Sequence, residues 1–333
     1  MPASTDQVLV TGGAGYIGAQ ATHRLCDAGY RVLVIDDLST GQPQNLPKAA
    51  TLLTADIGDA ALLDDIFSGH SISSVLHFAG SIVVPESVTN PGLYYANNSM
   101  NTLTLLRAMA RHGTDRLVFS STAAIYGNPP AEAMPVDETA PTGPISPYGT
   151  SKLISEMMIR DMAAAHGLKA VILRYFNVAG ADPQGRCGQS TPAATHLIKL
   201  AAQRALGKIS AMQVFGTDYP TEDGTCIRDY IHVDDLISAH LLALNHLATA
   251  PAGEAAVFNC GYGHGFSVTE VLDMMEQVSG QSLERQFASR RAGDAAILVA
   301  DSRRLRQQLG WQPCHDNLQS IIRSALDWEK TLG

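Results

Sequence analysis

Tyr148 and Lys152 stand four residues apart and are the side chains in this sequence best suited to acid/base chemistry. Residues at this spacing share one face of a helix, with their Cβ atoms about 5–6 Å apart. A free phenol has a pKa of about 10 and is a weak base at neutral pH, whereas a nearby ammonium would favour the phenolate. We therefore expect Lys152 to lower the pKa of Tyr148 toward the range useful for proton transfer. The spacing alone is weak evidence, because such pairs also arise by chance.

Thr122 supplies a hydroxyl that could belong to the same chemistry. It follows the apolar run 116–121, so a parallel sheet would place it at the carboxyl edge, where α/β proteins bind ligands. There it could hydrogen-bond a substrate hydroxyl, or it could be an ordinary loop threonine. The residue type does not decide between the two.

Gly12, Gly15 and Gly18 form a GxxGxxG loop between a predicted strand and a predicted helix. Glycine lets the backbone turn tightly and approach a pyrophosphate, whose charge the helix N-terminus favours. The alternative is a plain strand-to-helix turn. The strand–loop–helix context favours a nucleotide site.

Asp36 ends the second apolar run, eighteen positions after Gly18, close to the spacing of about 20 for a ribose-binding acid. A carboxylate there accepts hydrogen bonds from a 2′-hydroxyl and repels a 2′-phosphate, so the sequence favours NAD over NADP. The alternative is an acid in a solvated loop. Asp56, near the end of the third run, could cap the next turn or reach the adenine.

Six short apolar runs rich in β-branched residues must position these groups. Helix-length segments separate most of them, which is typical of a parallel sheet covered on both faces. The fold class is therefore α/β, with a doubly wound parallel sheet. The runs are QVLVT (7–11), RVLVI (31–35), TLLTADI (51–57), SVLHFAG (74–80), RLVFSS (116–121) and KAVILRY (169–175).

The pattern changes after the sixth run, which predicts a smaller C-terminal α/β domain. Residues 177–190 are interpreted as a long functional loop. We place the first domain at 1–176, with a return at about 230–258, and the second at 177–229 and 259–333. The further predicted elements are helices at 193–206, 267–278 and 316–330 and strands at 213–215 and 255–261.

Composition excludes several classes of protein. The 333 residues carry a formal net charge of −9, which disfavours general binding to nucleic acid or anionic membranes. There is no apolar stretch long enough for a membrane span and no pattern of a secretory leader. Five scattered cysteines predict reduced thiols and a cytoplasmic protein. No metal motif is present, and His232 is interpreted as structural.

Taken together, these motifs resemble the extended short-chain dehydrogenase/reductase family over essentially the whole chain, and within it the branch of UDP-glucose 4-epimerases. The resemblance implies a Rossmann-type fold, tightly bound NAD and a UDP-sugar substrate. The implied reaction, part of galactose metabolism, is reversible C4 epimerisation of UDP-glucose and UDP-galactose through a transient 4-keto sugar. The matching stretches are VTGGAGYIG, DDLSTG, HFAGSIVVPESV, YYANN, SPYGTSK, LRYFNVAGA, RRAGD and, most specifically, FGTDYPTEDGTCIRDYIHV.

The resemblance also implies roles for individual residues. Tyr148 would be the base, Lys152 would bind the nicotinamide ribose, and Thr122 would lie near the sugar 4-hydroxyl. Asn177 would bind the diphosphate sugar, Arg228 and Arg291 would grip the diphosphate, and Phe215 would stack beside uracil. The implied cofactor-binding residues are Gly12, Gly15, Tyr16, Ile17, Gly18, Asp36, Asp37, Asp56, Ile57, Phe78, Ala79, Gly80, Asn97, Ser120, Tyr148, Lys152 and Tyr175. The implied substrate-binding residues are Thr122, Tyr148, Asn177, His196, Leu197, Phe215, Arg228, Tyr230, Arg291, Asp294 and Leu298.

Three positions depart from the common pattern of the family. Ile82 replaces a lysine that contacts NAD, and His196 replaces an asparagine found in some members. Leu298 stands where some members have a larger tyrosine beside the sugar. A wider pocket would admit N-acetylated sugars, so a 4-epimerase of UDP-N-acetylhexosamine, or of a UDP-pentose, is the alternative.

Two further alternatives are weaker. A nucleotide-sugar 4,6-dehydratase would carry an Asp-Glu pair after the sheet-edge threonine, and this chain has Ala123 and Ala124 there. A non-catalytic NAD-binding module would have no need of Tyr148 and Lys152. The segments 92–112 and 147–166 resemble the helices of the family's dimer interface, which implies a homodimer.

Overall fold

The computed structural model describes residues 7–191, 194–291 and 294–333. Its strands are β1 Gln7–Thr11, β2 Arg31–Asp36, β3 Thr51–Thr54, β4 Ile72–His77, β5 Arg116–Ser120, β6 Lys169–Tyr175, β7 Asn177–Ala179, β8 Met212–Phe215, β9 Ile227–Arg228, β10 Tyr230–His232, β11 Ala255–Cys260, β12 Phe266–Ser267, β13 Arg285–Ala288 and β14 Ile297–Leu298.

Helices surround these strands, and a π-helical segment, Tyr95–Met100, joins two of them. The helices are α1 Tyr16–Asp27, α2 Ala60–Gly69, α3 Val84–Thr89, α4 Pro91–Tyr94, α5 Asn101–His112, α6 Pro147–His166, α7 Leu197–Ala205, α8 Val233–Leu247, α9 Val268–Ser279, α10 Arg303–Leu309 and α11 Leu318–Thr331. Short 3₁₀ turns lie at Pro43–Asn45, Ala123–Tyr126 and Ala131–Ala133.

Seven parallel strands of the described chain form the central sheet, in the order β11-β6-β5-β4-β1-β2-β3. The strand order reverses between β1 and β4, and such switch points leave a crevice at the carboxyl ends of the strands. The predicted doubly wound α/β class is confirmed. The seventh strand, β11, joins the sheet beside β6 although it lies about 80 residues further along the chain.

Both faces of the sheet are buried, because successive residues of each strand point to opposite sides. Val8 and Val10 belong to an apolar core shared with α1, α8 and the C-terminal helices. Leu9, between them, belongs to a second core with α2, α5 and α6. Since all three residues are fully buried, the apolar runs of the sequence are continuous rather than alternating.

The C-terminal part consists of short strands that pair over long sequence distances. β7 pairs with β10, β9 lies between β12 and β14, and β8 pairs with β13. The predicted loop 177–190 is therefore corrected at its start, where 177–179 forms β7 because a partner strand lies fifty residues away. The helix predicted at 193–206 is observed as α7, and residue 193 lies outside the described residues.

Within the described ranges, no helix combines the length and apolar character needed to cross a membrane. The same residues contain no group of three or more His, Cys, Asp or Glu placed to hold a metal ion. All five cysteines have free thiols.

Candidate active site

One cavity of about 900 Å³ extends along the carboxyl edge of the sheet. Its wall contains every predicted cofactor- and substrate-binding residue except Lys152 and Ser120. It therefore brings together segments from residue 12 to residue 298. The residues concerned are Gly12, Gly15, Tyr16, Ile17, Gly18, Asp36, Asp37, Asp56, Ile57, Phe78, Ala79, Gly80, Asn97, Thr122, Tyr148, Tyr175, Asn177, His196, Leu197, Phe215, Arg228, Tyr230, Arg291, Asp294 and Leu298.

The glycine loop forms a tight backbone cradle at one end of the cavity. Gly12 has φ +68°, and a Cβ placed there would lie 2.6 Å from the backbone nitrogen of Ala79. A Cβ on Gly18 would lie 2.1 Å from the carbonyl oxygen of Gly12. Gly15 caps α1 without any side-chain hydrogen bond to the first turn. A helix N-terminus with bare backbone N–H groups fits a pyrophosphate.

Asp36 is held rigidly beside this cradle. Its carboxylate accepts hydrogen bonds from the backbone N–H groups of Ala14 and Leu38, both at 2.9 Å. Burial raises its pKa, although these hydrogen bonds oppose the rise. The carboxylate still lines the cavity, as an acceptor for ribose hydroxyls must.

Two neighbouring acids are more exposed. Asp37 accepts hydrogen bonds from the backbone and hydroxyl of Ser39. Asp56 accepts one from the backbone N–H of Gly58 at 2.8 Å, so the turn-capping alternative for this residue is observed. Both carboxylates also line the cavity, which leaves a ligand contact for Asp56 as a prediction.

Helix α6 carries Tyr148 in its first turn. The helix begins at Pro147, and the hydroxyl of Ser146 caps it by accepting the N–H of Gly149 at 3.2 Å. A Cβ on Gly149 would lie 2.7 Å from the carbonyl oxygen of Ala124, so glycine lets α6 approach the loop after β5. This close approach places the hydroxyls of Tyr148 and Thr122 within hydrogen-bonding reach of each other.

Lys152 and Ser120 lie just behind the cavity wall. The Lys152 ammonium donates to the carbonyl oxygen of Ser120 at 3.0 Å and lies 4.9 Å from the ring centroid of Phe119. The Ser120 hydroxyl pairs with the Nε2 atom of His240 at 3.0 Å. Both residues were predicted to contact the cofactor, and neither side chain belongs to the cavity lining.

The lowering of the Tyr148 pKa was expected from Lys152 and a positive nicotinamide ring together, and it stays a prediction for the NAD-bound protein. Burial dominates and raises the pKa of Tyr148, and the opposing influence is its hydrogen bond with Thr122. Burial likewise lowers the pKa of Lys152 to about 8, with the charge of Glu156 acting in the opposite direction. Sequence spacing identifies which groups are close, but it does not indicate how deeply they are buried.

Cationic and aromatic side chains gather at the other end of the cavity. The Arg291 guanidinium lies 3.7 Å from the ring centroid of Phe215. Arg228 donates to the carbonyl oxygen of Ile227 at 2.9 Å and lies 3.7 Å from a carboxylate oxygen of Asp294. Among the described residues that line the cavity, Arg228 and Arg291 are the only lysine or arginine side chains. The cationic charge of the lining is therefore confined to this end. Guanidinium groups suit diphosphate recognition.

The remaining predicted substrate residues form the wall between the two ends. Leu298 and Tyr230 are buried, Asn177 and Leu197 are partly accessible, and His196 is exposed. His196 caps α7, and its ring nitrogen lies 3.3 Å from the side-chain nitrogen of a residue the sequence did not single out, Gln189. No spacing rule relates Gln189 to His196, seven residues further along the chain.

Asp229 was also missed. It is fully buried, and its carboxylate accepts the backbone N–H groups of Tyr262, Gly263 and Ala300 at 2.9–3.3 Å. Burial raises its pKa to about 6. An acid directly after Arg228 was the only sequence signal, and its three partners are 33–71 residues away.

Comparison with known proteins decides the family. The model for "NAD dependent epimerase/dehydratase family" matches residues 8–261. The UDP-glucose 4-epimerase of Azospirillum brasilense is 58% identical over 330 residues, covering 99% of this chain and 94% of the relative. The chain belongs to the NAD-dependent epimerase/dehydratase family.

Solved structures of family members agree along nearly the whole length. The UDP-glucose 4-epimerase of Bifidobacterium longum, in complex with NAD+ and UDP, is 37% identical with a TM-score of 0.92 and covers 98% of both chains. The UDP-Glc/GlcNAc 4-epimerase of Campylobacter jejuni is 44% identical with a TM-score of 0.84, covering 98% of this chain and 99% of its own. The predicted family, enzyme class and NAD cofactor are confirmed, whereas the roles of single site residues stay predictions.

Proposed function

We propose that this chain catalyses the reversible C4 epimerisation of UDP-glucose and UDP-galactose with tightly bound NAD. The observation that carries the proposal is that Tyr148, the glycine cradle and the two arginines line one cavity. The high identity to UDP-glucose 4-epimerases supports the choice of substrate.

The dinucleotide would be held mainly by backbone. The cradle of Gly12, Gly15 and Gly18 would receive the pyrophosphate, and the fixed carboxylate of Asp36 would accept the adenosine ribose hydroxyls. Bound NAD supplies the reversible hydride transfer at C4 of the sugar, which passes through a 4-keto sugar. Asp36 is buried, so an adenosine ribose held against its carboxylate would be shielded from solvent.

Tyr148 would exchange the proton of the sugar 4-hydroxyl. Thr122 is within hydrogen-bonding reach of the same phenol, so it would orient the hydroxyl and stabilise the charge that develops on Tyr148. Lys152, held against the carbonyl of Ser120, would place its ammonium behind this pair and bind the nicotinamide ribose. The residues thus divide the work into proton transfer, orientation and charge stabilisation.

The two ends of a UDP-sugar require opposite treatment. Phe215, Arg228 and Arg291 would hold the uracil and diphosphate, since stacking and guanidinium contacts are strong and directional. The hexose must turn over between the two hydride transfers, which requires weak contacts. The wall at Leu298 is apolar and would allow that rotation.

The test is conversion of UDP-galactose to UDP-glucose by the purified protein without added NAD. We expect turnover, and we expect NAD in the supernatant after the protein is denatured. No conversion of any UDP-sugar in a panel that includes UDP-xylose and UDP-N-acetylglucosamine would refute the proposal. Accumulation of a 4-keto-6-deoxy sugar would instead indicate a dehydratase, and NAD release without turnover would indicate a binding module.

A 4-epimerase of UDP-N-acetylhexosamine is the second candidate. Leu298 supports it because its side chain is smaller than tyrosine at a wall position, and the similarity to a UDP-Glc/GlcNAc 4-epimerase agrees with it. The same panel of UDP-sugars ranks the two substrates by kcat/KM.

We also propose a cytoplasmic homodimer with two domains in each chain. Leu93, Met100 and Met157 are 40–58% exposed on helices of the 92–112 and 147–166 segments, where a second copy would cover them. Sedimentation of wild type and Met157→Glu tests this, since a monomeric wild type would refute it.

The proposed domain boundaries are 1–176 with about 230–258 for the first domain, and 177–229 with 259–333 for the second. The return of β11 to the central sheet supports them.

A further inference from the structure

A fully buried ion pair lies beneath the catalytic edge. Arg174 donates to both carboxylate oxygens of Glu156, at 3.0 and 2.7 Å, and their side chains are 3% and 0% exposed. The same carboxylate accepts the hydroxyl of Ser121, which directly precedes Thr122. Glu156 stands one helical turn after Lys152 on α6. The pair therefore joins β6 to the two segments that carry the predicted catalytic residues, α6 and the loop after β5.

The network continues from Arg174 to the sugar wall. Arg174 donates to the hydroxyl of Tyr126 at 3.0 Å, which in turn donates to the side-chain oxygen of Asn259 at 2.7 Å. The amide of Asn259 donates to the carbonyl of Val136 at 2.9 Å, and Val136 pairs with the segment that carries Leu298. Connected buried polar groups of this kind hold their elements in one arrangement.

We propose that Glu156 and Arg174 are positioning residues for the epimerisation, orienting Thr122 through Ser121 and balancing the charge around Lys152. Neither side chain lines the cavity, so both act through other residues. This inference rests on the proposed function, in which the Lys152 ammonium supports the phenolate of Tyr148.

The charges around Lys152 determine in which direction its pKa should move when Glu156 or Arg174 is substituted. On α6, Tyr148 has a pKa raised by burial and is uncharged at neutral pH. On β4, His77 has its pKa lowered to about 3 by burial and by Lys152, and is also uncharged. The charges that remain are those of Glu156, which raises the pKa of Lys152, and Arg174, which is bonded to Glu156. Substituting one or the other should therefore shift the pKa of Lys152 in opposite directions.

The experiment measures the pH profile of kcat/KM for UDP-galactose with NAD-bound enzyme. Glu156→Gln removes the negative charge and leaves Arg174 unpaired, which should lower the pKa of Lys152. The alkaline limb of the profile, where Lys152 would lose its proton, should therefore move down by about one pH unit. Arg174→Gln leaves the negative charge uncompensated inside the protein, so the same limb should move up. A residue with a merely structural role would lower kcat in both variants without shifts of opposite sign.

Two further variants separate charge from orientation. Arg160→Gln is the matched control, because Arg160 contacts Glu156 at 3.2 Å from a 41% exposed position, and we expect no shift of the limb. Ser121→Ala keeps both buried charges, so it should lower kcat several-fold without moving the limb.

The outcomes are distinct from failure of the proposed function, which would appear as no turnover by the wild type. Unmoved limbs in Glu156→Gln and Arg174→Gln, or limbs that move together, would overturn the inference. If one of these variants does not fold, the direction in which the alkaline limb moves in the other variant tests the inference. An unchanged kcat in Ser121→Ala would overturn the orienting role.

Discussion

The half of the cavity proposed to hold the cofactor is walled largely by backbone at the ends of adjacent strands, whereas the half proposed to hold the substrate is walled by side chains from separate segments. Gly12 follows strand β1 and Asp36 ends strand β2, and these two strands are neighbours in the sheet. Arg228, Arg291 and Leu298 reach the other half from short strands and loops. The first half depends on exact backbone spacing, and the second depends on charge, ring stacking and side-chain size.

The difference extends to how each half is stabilised. The strands around the cradle belong to a sheet with two apolar cores, so their positions are fixed by packing. Strand β9, which carries Arg228, has two residues and is fixed instead by its neighbours β12 and β14 and by the buried carboxylate of Asp229. Substitutions in the first half should therefore affect retention of NAD, and those in the second should affect KM for the UDP-sugar.

Tyr148 lines this cavity as the proposed acid/base group, and its substitution should have the largest effect. We expect Tyr148→Phe to lower kcat by about 10³-fold or more, because general acid/base catalysis contributes about 10²–10⁴-fold. The protein should still bind NAD, since the cradle is untouched. Turnover and NAD content are measured on the same preparation, with Tyr95→Phe as a control outside the cavity lining. Near-normal turnover of Tyr148→Phe would contradict the assignment.

Gly18→Ala tests the backbone half alone. The new Cβ would lie 2.1 Å from the Gly12 carbonyl oxygen, and overpacking of this kind costs about 1–3 kcal/mol. Since 1.4 kcal/mol is tenfold in affinity, retained NAD should fall about tenfold or more, and added NAD should restore turnover. Gly69→Ala is the control, because a Cβ there meets nothing within 4 Å. Full retention of NAD by Gly18→Ala would show that the loop does not cradle the dinucleotide.

The same division explains what the sequence could predict. All six apolar runs are strands of the central sheet, although the run predicted at 51–57 ends at Thr54 and the one at 74–80 is observed at Ile72–His77. Local apolar periodicity determines these elements, so no knowledge of distant partners is required. The glycine loop and Asp36 could be predicted for the same reason, since their spacing is local.

The substrate half could be predicted only by resemblance. The pair Ile227–Arg228 is a strand because it pairs with Phe266–Ser267 and Ile297–Leu298, and no local pattern records those partners. The bond between Glu156 and Arg174 was missed for the same reason, as was the π-helical segment Tyr95–Met100. Burial depth was missed as well, and burial is what raises the pKa of Tyr148 in this structure.

Arg291→Gln tests the side-chain half. A hydrogen bond to a charged group contributes about 1.5–3 kcal/mol, so KM for UDP-galactose should rise about 10- to 100-fold. The NAD content and kcat at saturation should change little. Arg290→Gln is a matched control, because Arg290 is 44% exposed, pairs with Asp218 and stacks on Tyr219 outside the cavity lining. An unchanged KM with a lower kcat would place Arg291 with the chemistry rather than with diphosphate binding.

Leu298→Tyr tests side-chain size with the smallest expected effect. Leu298 is 8% exposed and packs with Val136 and Phe176, so a tyrosine ring must project partly into the cavity. A steric penalty of about 1–2 kcal/mol against the N-acetyl group would lower kcat/KM for UDP-N-acetylglucosamine about tenfold more than for UDP-galactose. Leu298→Met, which conserves volume, should leave the ratio unchanged. Equal losses on both sugars would mean that the substitution disturbs the packing with Val136 and Phe176, and that sugar size is set elsewhere on the wall.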